Sequence, residues 1–109
     1  MRTYEEIAYL LMVALKRSGK ARYRLSQKTL QTISGRDVIR STLVASIAEW
    51  MEGEAVLLPL NRGGYVMVSQ ESLEGIAPLR FTETVPEWKD LKIEALRAEV
   101  GHEDVVESE

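Results

Sequence analysis

A chain of 109 residues, 45% hydrophobic and 28% charged, has room for one domain with a short appendage and a single buried core. No apolar run approaches the roughly 18 residues that a membrane span needs. The chain has no cysteine and one histidine, His102, which excludes disulfides, thiolate-bound zinc and any intrachain site needing two imidazoles. The net charge of −3 conceals a split: residues 1–64 carry ten bases against six acids (+4), and residues 65–109 carry four against eleven (−7). Between residues 16 and 40 there are eight bases to one acid. Such asymmetry points to a polyanion-facing half and an acidic tail.

The opening Met1-Arg2-Thr3 runs directly into a helical pattern, with no cleavable signal. Without cysteines, a reducing cytoplasm is the expected compartment. Thr3 and Glu6 have capping-box spacing. Ile7, Leu10, Leu11, Ala14 and Leu15 then fall on one helical stripe that should face the core. Arg17-Ser18-Gly19 ends this first helix. Residues 20–25 alternate charge with Ala, Tyr and Leu, the pattern of a short edge strand with a basic outer face. Ser26 caps a second helix running to about Ile33, with Leu25 and Leu30 spaced as a hydrophobic staple. Ser34 is then expected to cap a third helix, with Asp37 at its third position. Ile39, Leu43, Ser46, Ile47 and Trp50 lie on its inner side, and Gly53 is its stop.

Two β-prone segments, 55–60 and 65–68, flank the turn Asn61-Arg62-Gly63-Gly64 and predict a hairpin. Pro59 confines its strand to a sheet edge. A helical turn is expected over 69–75 and a short strand over 79–82. A last helix should carry Pro86 in its first turn. It runs through Trp88, Leu91, Ala95 and Leu96 to Val100, with Gly101 as its stop. Residues 102–109 are acidic, and disorder is expected there. His102 beside Glu103 and Asp104 is a fragment of a metal site at most, so no metal is expected. Met12, Met51 and Met67 read as core filler.

Helix, tight turn, helix and hairpin in that order resemble a winged helix-turn-helix. The likeness covers about residues 3–68 and rests on element order and caps. It implies an α+β fold of three helices and a β-hairpin wing over residues 1–78. A strand and helix over 79–101 would be added as a dimerisation element, with the acidic tail over 102–109. It also implies double-stranded DNA as partner and transcriptional control, in a bacterial, phage or mobile-element setting, as the role. Carried onto this sequence, the third helix offers Arg36, Asp37, Arg40 and Ser41 to base edges. Arg62 at the wing tip suits phosphate or the minor groove, and Arg22, Arg24 and Lys28 hold phosphates. The face of that helix opposite Ile39 and Leu43 holds Asp37, Ser41, Val44, Ala45 and Ala48, and this suits a protein contact as well as a groove. The alternative is therefore a winged-helix interaction module in a protein assembly. Catalysis is not expected, since there is no phosphate loop and no Ser-His or Cys-His pair before His102; no cofactor is expected either. Two-fold DNA sites favour a homodimer.

Overall fold

The computed structural model describes residues 1–101. The chain divides into two compact units, Met1–Ile76 and Ala77–Glu109. The fold is α+β, with a three-stranded antiparallel sheet in the first unit.

The first unit opens with α1, Tyr4–Ser18. Its start is a complete capping box: Glu6 N–H donates to Thr3 Oγ1 at 3.1 Å and Thr3 N–H donates to Glu6 Oε1 at 2.9 Å. Gly19, at φ +70°, closes the other end. The buried face consists of Ile7, Ala8, Leu11 and Leu15, whereas Leu10 and Ala14 are exposed. The expected stripe is thus turned by part of a helical step. Residues 7–15 are apolar over a broad arc, so periodicity alone cannot choose which edge meets the sheet and α3.

The strand β1, Arg22–Leu25, leads into α2, Gln27–Ser34, through the cap Ser26, whose Oγ accepts from Thr29 N–H at 3.1 Å. Leu25 and Leu30 are both buried beside it. Here the structure corrects the expected third helix. Gly35 at φ +73° terminates α2, and the Ser34 hydroxyl is buried and donates back to Gln31 O instead of capping forward. The side chain of Gln31 donates to Asp37 O at 2.6 Å and ties the connection to α2. The next helix, α3, begins only at Ser41 and runs to Glu49, with Arg40 as its N-cap. Arg36, Asp37 and Ile39 therefore precede the helix. Because α3 ends at Glu49, the following turn places Met51 in the core at 0% exposure and leaves Trp50 half-exposed at 50%. Trp50 was expected inside.

The hairpin β2 (Ala55–Pro59) and β3 (Tyr65–Ser69) joins β1 in the order β1-β3-β2. Pro59 thus lies on an edge strand. Registers pair Arg22 with Val68, Leu25 with Tyr65 and Leu57 with Met67. Alternation along the strands sends Tyr23, Leu25, Leu57, Tyr65 and Met67 inward, and Arg22, Arg24, Leu58 and Val66 outward. Tyr23 fastens β1 to α1, its hydroxyl donating to Leu11 O at 2.9 Å. The core is formed by α1, Leu30, the Leu43 and Ile47 side of α3, Met51 and the inner sheet face. Met12 packs against it, partly buried. A short helix α4, Gln70–Glu74, capped by Ser69, follows β3.

Among its described residues the second unit has two short helices, α5 (Phe81–Thr84) and α6 (Ile93–Glu99), neither with a buried residue. The strand expected over 79–82 is absent, since Phe81 starts a helical turn. The long final helix is also corrected. Val85 before Pro86 leaves the helical region (φ −127°, ψ 71°), and a turn over 86–90 follows it. Extended Lys92 then caps α6, so Trp88 and Leu91 lie outside the helix. The acidic segment 102–109, with His102, Glu103 and Asp104, lies outside the described residues.

Candidate nucleic-acid interface

Four bases cluster on three adjoining elements of the first unit. Arg22 and Arg24 point outward from the free edge strand β1, Lys28 stands in the first turn of α2, and Arg62 is in the β2–β3 turn. Arg24 and Arg62 line one notch of about 490 Å³, together with Leu25, Ser26, Gln27, Gly63 and Gly64. No acidic side chain lines it, and the first turn of α2 contains none. The Ser26 cap takes Thr29 N–H. That leaves the N–H groups of Gln27 and Lys28 at the positive end of the helix without an intrahelical acceptor. Cationic side chains and helix dipole act in the same direction here.

The notch depends on the glycine turn. Leu60 N–H donates to Gly64 O at 2.9 Å and Gly63 N–H donates to Leu60 O at 3.1 Å, while both glycines have positive φ (+97° and +87°). A Cβ on Gly64 would stand 3.0 Å from Leu25 O. Only glycine lets the turn lie this close to the β1–α2 junction. Among the described residues the ion pairs are Arg2–Glu6 and Arg80–Glu83. Arg22, Arg24, Lys28 and Arg62 therefore carry charge not neutralised by any ion pair among those residues.

The other sequence candidates are distributed differently. Arg40 is the exposed N-cap of α3 and makes no side-chain cap bond, and Ser41 beside it is exposed. Asp37 is exposed on the connection before the helix. Arg36 is turned away from α3: its Nη1 donates to Arg2 O at 3.1 Å and Ser34 O at 3.4 Å, and its guanidinium lies 5.3 Å from the centre of the Tyr4 ring. It ties the α2–α3 connection to the start of α1. Nothing in its local sequence signals this, because the Arg2 carbonyl and the Tyr4 ring that it reaches lie more than 30 residues earlier.

Two hollows are not evident from sequence. One, of about 360 Å³, runs between α3 and β2 and is lined by Arg40, Val44, Ala45, Ala48, Leu57 and Pro59 among others. The only advance signal for it is the run of small side chains on α3. The larger, about 690 Å³, lies between α1, the approach to β1 and α4; Tyr9, Met12, Val13, Lys16, Lys20, Glu54 and Glu71 border it. Tyr9 and Val13, on the exposed side of α1, supply part of its apolar wall.

Compared with family models, curated proteins and solved structures, the chain matches none. Among the described residues no group of three or more His, Cys, Asp or Glu could hold a metal, and no helix is long and apolar enough to cross a membrane. Among the described residues the strongly shifted group is Tyr23, raised to about 12 by burial; it remains neutral at physiological pH and serves as a fastener.

Proposed function

We propose that Met1–Ile76 is a winged helix-turn-helix that binds double-stranded DNA, with the β2–β3 hairpin as wing. The observation that carries this reading is the acid-free notch in which Arg24, Arg62 and the first turn of α2 converge. Unneutralised guanidinium groups beside a helix N-terminus are an arrangement that holds phosphate. Arg22 and Lys28 extend the charge to either side. Each phosphate neutralised releases condensed counterions, so affinity should fall steeply with salt. Transcriptional control by a homodimer is the role that fits a small domain of this kind. The second unit supports the dimer through its exposed Ile93, Leu96 and Val100, spaced three and four apart as one helical stripe.

The test is duplex binding across a salt series with Arg22→Ala/Arg24→Ala in the full chain. Affinity should drop alike on all sequences, and the slope of log affinity against log salt should flatten by about one unit per lost contact. Unchanged binding and slope would reduce the basic strip to a solubilising surface. A second reading, docking of a protein partner, is favoured by the apolar α3–β2 hollow. Binding through that face would be far less salt-dependent.

A further inference from the structure

The outward face of α3 in the proposed module has none of the bidentate donors that read purines. Direct readout relies on Arg or Lys on guanine, Asn or Gln on adenine, and Asp or Glu on cytosine. The segment Ser41–Trp50 contains no Lys, Arg, Asn or Gln. Its exposed residues are Ser41, Thr42, Ala45, Glu49 and Trp50. At 100° per residue, Thr42, Ala45 and Glu49 share the middle of the outward face, so its one ionised group is negative. An isolated carboxylate there repels the phosphates on both sides of a groove unless a cytosine amino group meets it. Arg36, which could have supplied a guanidinium, is held by Arg2 O, Ser34 O and the Tyr4 ring. Arg40 alone remains near the helix start. The unneutralised cations lie instead on β1, α2 and the hairpin turn.

Resting on the DNA-binding reading, we infer that the ligand is duplex DNA as a class, held through its backbone, with base readout confined to what Arg40 and the neighbouring Ser41 hydroxyl can contact at the start of α3. One bidentate contact discriminates bases by up to about a hundredfold. Site-specific proteins exceed their non-specific binding by about a thousandfold or more.

Fluorescence anisotropy of the full chain on unrelated duplexes at one salt concentration, with selection from a random duplex library, tests this. Affinities within about tenfold of one another, and enrichment below about a hundredfold, are expected. Glu49→Ala, which removes the carboxylate without adding a base-reading group, should tighten binding to every duplex by the same factor. Enrichment of a defined site by a thousandfold or more would overturn the inference while leaving DNA binding intact, as would a Glu49→Ala variant with altered base preference. Failure to bind any duplex at low salt would overturn the DNA-binding reading and this inference with it.

Discussion

The close approach of the hairpin turn to the β1–α2 junction can be tested by adding one methyl group. In Gly63→Ala the new Cβ meets nothing within 4 Å, so only the backbone term at φ +97° remains. A left-handed L-residue costs roughly 1–2 kcal/mol, and loss of glycine freedom in the unfolded chain returns about 0.4–1 kcal/mol. The net cost is about 1 kcal/mol. Gly64→Ala carries the same backbone term at φ +87°, but its Cβ would also lie 3.0 Å from Leu25 O. That oxygen belongs to the main chain and cannot rotate away. Overpacking of this kind costs about 1–3 kcal/mol, giving a total near 2–4 kcal/mol. At roughly 4–8 °C per kcal/mol for a unit of this size, Gly63→Ala should lower Tm by several degrees. Gly64→Ala should lower it by ten degrees or more, as followed by far-ultraviolet circular dichroism. Relief of the contact by outward movement of the turn would also part Arg62 from Arg24 and weaken duplex binding. Equal melting temperatures for the two variants would refute the claim that the turn is held against Leu25.

Tyr23 supplies a pH prediction. Its pKa is raised to about 12 by burial, against about 10 in the unfolded chain, so the folded state retains the proton between these values. The stabilisation is complete below pH 10 and is lost as pH climbs toward 12; a Tyr23→Phe variant should lack that component in its alkaline unfolding profile, and superimposable profiles would contradict it. The proposed homodimer predicts a sedimentation coefficient of two copies at tens of micromolar, reduced by Leu96→Glu on α6. A single-copy species at that concentration would remove the dimer from the proposal.

Local signals gave reliable boundaries where the responsible groups lie within one turn of each other. The Thr3–Glu6 box, the Ser26 cap with Leu25 and Leu30, and the glycine pair at 63 and 64 all act over three to five residues, and each element begins or turns where they indicate. The third helix was misplaced because Ser34 offers a hydroxyl that can cap forward or bond back, and burial against the core favours Gln31 O. The inward face of α1 depended on packing between elements, as did the exchange of Trp50 for Met51. The bases of the candidate interface were readable as a list, since Arg22, Arg24, Lys28 and Arg62 are unmistakably basic. Their partition was not. That Arg24 and Arg62 share a notch follows from β1 pairing with β3, and that Arg36 is engaged elsewhere follows from Arg2 and Tyr4.

The strand order has a consequence for how the basic strip is assembled. The contact Pro59↔Tyr65 closes six residues, whereas Leu25↔Tyr65 closes forty. By chain-closure entropy alone the second costs about 1.7 kcal/mol more, at (3/2)RT times the logarithm of the ratio. Chain closure therefore favours formation of the hairpin before β1 adds along the open side of β3, and release in the reverse order. Release of β1 needs loss of the Tyr23–Leu11 fastening and of the Ser69 N–H bond to Ala21 O, while β2 and β3 stay paired. Arg22 and Arg24 thus ride on the least locally anchored strand of the sheet. Clamping that strand onto a polyanion would oppose its detachment, so ligand binding and completion of the sheet favour one another.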